Sequence, residues 1–392
     1  MPVGALPRRV EPVRLHLRLI ALIIVVVGLV GGVLAVTVFD TDETSNAPTE
    51  DQALGTTGPG SATGATGPTL NYAQAIPLPI DGPLLGVNLT AYTRDGYAEP
   101  KVQDMIGTLA ELGSTAITVV PTWYMKNPTA NVIAPDSEKT PSDESLARVV
   151  SWIREAGMQA VIKPHVDVLD DSYRGDIQPT DRDQWFRSYG DFIDHYATFA
   201  ASNSAGMFVA GTELKTMSTE TDRWRAIVQL VRDRFFGPVT YAANWDEVDQ
   251  VQFWDDLDAI GVDAYYPLSP DDGSTPTLQS LTSEWRKVAS QLEAKSQQWD
   301  RPVLLTEVGY PSQVGATAKP YEVTDQPPDQ NIQALAYRAT FDALSGSDWL
   351  KGISWWSWRA DPGDGEQLDI DYTPEDKKAQ GVLAQGQWMF EG

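Results

Sequence analysis

Short apolar segments alternate with amphipathic segments through most of the chain. Near-continuous apolar runs are typical of strands that are covered on both faces. Such runs predict eight strands, at LLGVNL (84–89), AITVVP (116–121), QAVIKP (159–164), MFVAGT (207–212), VTYAAN (239–244), AIGVDA (259–264), VLLTEV (303–308) and GISWWS (352–357). Apolar residues at helical spacing predict helices between them, among others at 102–113, 145–157, 224–235 and 334–344. Eight strand–helix units predict an α/β fold of the TIM (β/α)₈ barrel type. A doubly wound open sheet is the alternative, but no glycine-rich phosphate loop follows the first strand.

A different hydrophobic pattern lies at the N-terminus. Residues 1–18 form a basic segment, and residues 19–39 form a run of 21 residues without a charge. A run of this length crosses a bilayer as a helix, and the preceding arginines predict a cytoplasmic N-terminus. We therefore expect a single-pass anchor in the cell membrane, with the rest of the chain extracytoplasmic. A cleaved signal peptide is the alternative and gives the same side of the membrane, but its apolar region would be shorter.

Composition divides the remaining chain into two parts. Residues 40–75 are rich in glycine, threonine, serine and proline, and they hold too little apolar surface to offset the entropy of ordering. We expect a flexible linker there. Residues 76–392 contain no comparable linker and have a length typical of one barrel domain.

Charge and composition exclude several functions. The chain carries a net charge of -25, and because residues 1–39 carry +3, the rest carries -28. Such an acidic surface repels phosphate backbones, so we expect no nucleic-acid partner. The chain has no cysteine and only three histidines, which are not spaced as metal ligands. We expect neither a metal nor a cofactor, and the sequence indicates no obligate protein partner.

Two glutamates lie at the ends of predicted strands. Glu213 follows the fourth strand in the segment GTEL, and Glu307 lies in the seventh strand in the segment TEVGY. Parallel barrels carry their active sites at the C-terminal ends of the strands. One such glutamate is often half of a structural ion pair, whereas two together favour catalysis. Glycoside hydrolysis needs such a pair, because one carboxyl group protonates the leaving oxygen while the other attacks the anomeric carbon or activates water.

Aromatic and polar residues follow several other strands. Sugars stack on aromatic rings and need fixed polar partners for their hydroxyl groups, so these residues predict a carbohydrate-binding cleft. The aromatic candidates are Trp123 and Tyr124 after the second strand, Trp245 beside Asn244 after the fifth, Tyr265 and Tyr266 after the sixth, and Trp356 in the eighth; the polar candidates are Lys163, His165, Asp167 and Arg174. Because side chains alternate along a strand, we expect Trp355 to pack against the outer helices. Asp263 is equally well explained as a link to a neighbouring strand, and the acidic run 361–371 as a solvated loop.

The segments that carry these residues resemble glycoside hydrolase family 113, the endo-β-1,4-mannanase-like barrels of clan A. The resemblance rests on GTEL, LLTEVGYPS, VVPTWYM, KPHVDV, YRGDI, YAANWD, IGVDAYYPL and ISWWSW, which together touch all eight predicted strands. It implies a retaining mechanism, with Glu213 as acid/base, Glu307 as nucleophile and Tyr265 beside the nucleophile. It also implies that the cleft is lined by Trp123, Lys163, His165, Arg174, Asn244 and Trp356.

One position departs from the clan pattern. Many clan A enzymes carry asparagine immediately before the acid/base, where it binds the sugar 2-hydroxyl, but this chain has Thr212. A threonine hydroxyl reaches less far, so the choice between mannose and glucose stays open. The sequence thus predicts a retaining glycoside hydrolase of β-linked, mannan-like polysaccharide. An exo-acting β-glycosidase and a catalytically inactive carbohydrate-binding barrel of the cell envelope are the alternatives; a metal-dependent hydrolase lacks its ligand clusters.

Overall fold

A computed structural model describes residues 82–360 and 370–388. The predicted basic segment 1–18, the apolar run 19–39 and the linker 40–75 lie outside the described residues, as does most of the acidic run 361–371. None of the helices in the described ranges has the length and apolarity needed to span a membrane.

The described ranges contain ten strands. They are β1 (Leu84–Thr90), β2 (Ala116–Val120), β3 (Thr122–Met125), β4 (Gln159–Ile162), β5 (His165–Val168), β6 (Met207–Thr212), β7 (Val239–Asn244), β8 (Ile260–Asp263), β9 (Val303–Val308) and β10 (Leu350–Arg359). Eight of them form a closed parallel barrel in the order β1-β10-β9-β8-β7-β6-β4-β2. All eight predicted strands are confirmed, and so is the closed barrel; the open-sheet alternative is wrong.

The other two strands form a small sheet that the sequence pattern did not predict. β3 and β5 pair in parallel, and each follows a barrel strand after only one or two residues. Pro121 separates β2 from β3, and Pro164 lies between β4 and β5. Proline has no amide hydrogen for a sheet ladder, so each barrel strand ends there and the chain continues in a second sheet.

Seven α-helices surround the barrel in the described part of the chain. They are α1 (Pro100–Glu111), α2 (Asp143–Glu155), α3 (Arg182–Ser202), α4 (Thr221–Arg232), α5 (Leu278–Trp299), α6 (Gln330–Leu344) and α7 (Lys378–Trp388). The four helices proposed from periodicity are confirmed with shifted ends. The expectation of eight strand–helix units is wrong at one place, because only a single 3₁₀ turn, Trp254–Asp256, connects β7 to β8.

Two apolar layers hold the barrel together. Small and branched side chains, including Leu84, Val161 and Val209, fill the barrel interior, while larger residues pack between strands and helices. Trp355 belongs to the outer layer, where it stacks on Tyr337 of α6 with ring centroids 3.7 Å apart. The expectation that Trp355 packs against the outer helices is confirmed. The rigid barrel leaves the C-terminal strand ends free to form a site.

Candidate active site

A cavity of about 980 Å³ opens at the C-terminal ends of the barrel strands. It contains Glu213, directly after β6, and Glu307, near the end of β9. Nine of the residues singled out in the sequence form part of its wall: Tyr124, Asp167, Arg174, Glu213, Asn244, Trp245, Tyr265, Glu307 and Trp356. The structure therefore brings both glutamates and most of the proposed binding residues to one place.

Glu307 is held by donors on both carboxylate oxygens. The Lys163 ammonium donates to Oε1, and the Tyr265 hydroxyl donates to Oε2 at 2.5 Å. Lys163 also donates to Asp263 at 3.0 Å, and Asp263 accepts from the Thr306 hydroxyl of neighbouring β9 at 2.7 Å. Glu307 is only 3% exposed. Charge-assisted hydrogen bonds of this kind fix the carboxylate in one orientation towards the cavity.

Glu213 lies in a different environment. It is 7% exposed, and its backbone φ of +52° is left-handed, a conformation that costs energy in residues other than glycine. Burial raises the pKa of Glu213 to about 7; the Arg174 charge opposes this shift, and the Glu307 charge adds to it. Near neutral pH this carboxyl group therefore exists in both protonation states, as a group that exchanges protons requires.

Arg174 connects the two sides of the cavity. It lies in a 3₁₀ turn after β5, where its Nε donates to the Val166 carbonyl at 3.1 Å. One terminal nitrogen donates to Glu213 at 3.0 Å, and the other binds Asp167. These contacts hold the guanidinium group beside the Glu213 carboxyl while leaving part of it facing the cavity.

Comparison with known proteins identifies the family. The model of Glycoside Hydrolase Family 113 matches residues 89–377, which is well over half of the chain. The chain belongs to Glycoside Hydrolase Family 113. It is a glycoside hydrolase, and the resemblance seen in its sequence segments is confirmed. No curated protein matches the chain.

Solved structures of Family 113 share the barrel. A β-mannanase from Alicyclobacillus acidocaldarius, in complex with ManMIm, is 26% identical with a TM-score of 0.72, covering 79% of this chain and 98% of its own. A Family 113 β-1,4-mannanase in a complex structure is 23% identical with a TM-score of 0.71, covering 79% and 99%. GH5_18 from Streptomyces cattleya, in complex with GlcNAc, has 16% identity and a TM-score of 0.51 over 79% and 80%, which shows a shared fold alone.

Two further residues expected in the cleft of this Family 113 enzyme lie behind it. Lys163 and His165 are buried, contact Glu307 and are not part of the described cavity wall; His165 Nε2 is 3.7 Å from Glu307 Oε1. The His165 ring stacks on Trp356 with centroids 5.8 Å apart. Burial lowers the pKa of His165 well below its usual value, and the charges of Arg174 and Lys163 lower it further. His165 is therefore neutral at physiological pH and supports Trp356 and Glu307 from behind.

Trp123 lies elsewhere than expected. Its ring packs against α3, with centroids 5.3 Å from Phe192 and 6.1 Å from Tyr196, and it is not part of the cavity wall. Side chains alternate along a strand, so Trp123 and Tyr124 point to opposite faces of β3. Tyr124 is the one that reaches the cavity. We expected Trp123 to line the cleft. The structure instead places Tyr124, the neighbouring aromatic residue, in the cavity wall.

Four tyrosines of the cavity wall were missed in the sequence: Tyr92, Tyr173, Tyr321 and Tyr372. Tyr321 stacks on Trp245 with centroids 6.5 Å apart and planes 11° apart, and the Tyr173 hydroxyl accepts a hydrogen bond from Asn244 Nδ2 at 2.9 Å. Tyr92 follows β1 by two residues, so the strand-end rule could have found it. The other three lie outside the strands and helices, where periodicity carries no signal.

Proposed function

We propose that this Family 113 enzyme hydrolyses β-1,4-linked mannan with retention of anomeric configuration. The observation that carries the proposal is the pair of buried carboxyl groups in one cavity with unequal surroundings. Glu307 is oriented by Lys163 and Tyr265, whereas burial raises the pKa of Glu213 to about 7. The proposal of mannan is supported by the β-mannanase from A. acidocaldarius, the 26% identical structure.

The proposed reaction has two steps. A Glu307 oxygen attacks the anomeric carbon and forms a glycosyl–enzyme ester, while Glu213 donates its proton to the departing glycosidic oxygen. The anionic Glu213 then takes a proton from water, whose oxygen attacks the same carbon and breaks the ester. Glu307 is released as a carboxylate and Glu213 is again protonated. Two inversions at one carbon give net retention.

The remaining wall residues are proposed to bind the sugar chain. Trp245 and Trp356 offer apolar faces, Asn244 and Arg174 offer hydrogen-bond donors, and Tyr265 holds the nucleophile. The Thr212 hydroxyl is buried and lacks a hydrogen-bond partner within residues 82–360 and 370–388, and Thr212 is not part of the wall. Recognition of the sugar 2-hydroxyl therefore falls to another residue of the cavity.

We also propose that the protein is a single-pass membrane protein with an extracytoplasmic hydrolase domain. This proposal rests on the sequence pattern of residues 1–39 alone. A membrane-bound form in fractionated cells, degraded by protease added outside the cytoplasmic membrane, is the expected result. A soluble protein that is protected inside intact cells contradicts it.

Variants of the two glutamates test the proposed reaction. Wild type should release new reducing ends from β-1,4-mannan, and Glu307→Ala or Glu213→Gln should remove nearly all turnover because each lacks one half of the chemistry. Glu284→Gln, a half-buried position on α5 outside the described cavity wall, is the matched control and should behave as wild type. Circular dichroism checks that each variant is folded.

The products distinguish the alternatives. Oligosaccharides of several lengths indicate endo action, and release of single sugars only indicates an exo-acting β-glycosidase. Binding to mannan without new reducing ends in the wild type would support an inactive carbohydrate-binding barrel. Wild-type rates in either glutamate variant contradict the assigned roles.

A further inference from the structure

Glu247 is a further buried carboxyl group, which lies outside the described cavity wall and has no part in the proposed reaction. Glu247 follows β7 by three residues and is 0% exposed. One of its oxygens accepts a hydrogen bond from the Tyr241 hydroxyl at 2.6 Å, and the other accepts from the backbone amide of Asn244 at 2.9 Å. Both carboxylate oxygens are thus committed to groups that adjoin the catalytic edge of the barrel.

The first of these contacts leads to Glu213. The Tyr241 hydroxyl, which donates to Glu247, accepts a hydrogen bond from the Leu214 amide at 3.0 Å. On the other side, the amide of Glu213 itself donates to the Ala242 carbonyl at 2.8 Å. The peptide groups before and after Glu213 are therefore both tied to β7. A left-handed backbone conformation in a residue other than glycine persists only where neighbouring contacts stabilise it. The two hydrogen bonds to β7 stabilise this conformation at Glu213.

The second contact leads to a residue of the cavity wall at the end of β7. The hydrogen bond to Glu247 fixes the backbone of Asn244. The Asn244 side chain lines the cavity, where its Nδ2 donates to the Tyr173 hydroxyl at 2.9 Å. A single carboxylate thus restrains the backbone at the acid/base and at a wall residue proposed to bind sugar. This coupling arises because Tyr241 and Asn244 belong to the same strand.

Stability alone is a poor explanation for a carboxyl group in this position. Tyr241 is enclosed by the rings of Trp224 and Phe253, at centroid distances of 5.0 and 5.4 Å. Burial raises the pKa of Glu247 to about 7, although the hydrogen bonds from Tyr241, Asn244 and Ser218 lower it. Replacing such buried polar groups by apolar side chains is often neutral or stabilising, so a functional gain is the better account.

We propose that Glu247 is a positioning residue that acts through Tyr241 and the Leu214 amide to hold the Glu213 carboxyl group at the leaving oxygen. This inference rests on the proposed function of Glu213 as acid/base. It identifies Glu247, Tyr241 and the Leu214 amide as the groups that keep the Glu213 carboxyl group in place. Misplacement of a catalytic group by about 1 Å costs up to roughly 100-fold in rate.

Two substrates separate positioning from general structural damage. A β-1,4-manno-oligosaccharide has a poor leaving group that needs the Glu213 proton, whereas a 2,4-dinitrophenyl β-mannoside loses its leaving group without protonation. Tyr241→Phe removes one oxygen and breaks the connection at its centre. We expect kcat/KM of this variant to fall about 10–100-fold on the oligosaccharide, within the range that general acid catalysis supplies, and to change little on the activated substrate. Glu247→Gln should show the same selective loss.

Tyr189→Phe is the matched control. This variant also removes a buried tyrosine hydroxyl that binds the backbone of β6. The Tyr189 hydroxyl donates to the Ala210 carbonyl at 2.8 Å, and Ala210 lies three residues before Glu213. It should affect both substrates equally. Equal losses on the two substrates in Tyr241→Phe and Glu247→Gln, or no loss beyond the control, overturn the inference while leaving the proposed function intact. A wild type that hydrolyses neither substrate overturns the proposed function and this inference with it.

Discussion

Glu213 and Glu307 carry the same carboxyl group, and their neighbours make them chemically different. Glu307 meets an ammonium and a phenol hydroxyl, one on each oxygen. Glu213 lies in a buried position where Arg174 favours its charged form and Glu307 opposes it. Sequence position showed that both residues lie at strand ends. The family resemblance implied Tyr265 beside Glu307, but the sequence did not show that Lys163 binds the other oxygen, because Lys163 follows a different barrel strand.

The pH dependence of kcat/KM should reflect the protonation of Glu213. Its pKa is raised to about 7, so its acid form is lost as the pH rises through that value, and kcat/KM should fall on the alkaline side from about pH 7. Arg174 lowers this pKa, so Arg174→Gln should move the alkaline limb to higher pH. A pH–rate profile of kcat/KM for both proteins measures this, and a shift to lower pH in the variant contradicts it.

Lys163 should matter for stability as well as for the site. It is fully buried between Asp263 and Glu307, so Lys163→Met leaves two buried carboxylates without their cation. Removing one partner of a buried ion pair costs about 3–5 kcal/mol of unfolding free energy. Urea denaturation measures the loss, and Lys287→Met, an exposed lysine on α5, is the control. Equal stability of the two variants would contradict the buried network.

At the scale of elements, strands were easier to predict than their surroundings. Buried parallel strands are short and continuously apolar, and all eight were found within about two residues of their ends. β3 and β5 were merged with the loops after β2 and β4, because four-residue strands give too little pattern. The orientation of Trp123 was missed for the same reason, since an unrecognised strand has no predicted faces.

Barrel closure should depend on a glycine. A Cβ atom on Gly352 of β10 would lie 2.1 Å from the Leu84 carbonyl oxygen of β1, where these strands close the barrel. Gly352→Ala should therefore destabilise the fold by about 1–3 kcal/mol through overpacking. Gly107→Ala in α1 meets open space and should stabilise it by roughly 0.5–1 kcal/mol. Thermal unfolding of both variants tests the contrast; a stabilised Gly352→Ala contradicts the described pairing.

At the scale of the whole molecule, the family match and the described cavity wall occupy the same part of the chain. The family match spans residues 89–377, and the cavity wall runs from Tyr92 to Tyr372. The long loops that bring Tyr321 and Tyr372 to this wall have no helical or strand period, so their contribution could not be predicted from the sequence.

A shortened chain tests this division. A protein that lacks residues 1–75 should keep the wild-type kcat/KM on soluble manno-oligosaccharides, because every wall residue that the structure describes is retained. It should also lose its association with membranes, if the apolar run is the anchor. Sedimentation with membrane vesicles and initial-rate assays measure the two properties separately. A large loss of kcat/KM would place part of the site in the removed segment.

The stereochemistry of the first product is the most direct test of double displacement. Proton NMR of a freshly started reaction on a β-1,4-manno-oligosaccharide shows which anomer the enzyme releases before the sugar equilibrates. Double displacement through Glu307 predicts that the β-anomer appears first and the α-anomer only later, by mutarotation. Initial release of the α-anomer would mean direct attack by water, and it would contradict the role of Glu307 as nucleophile.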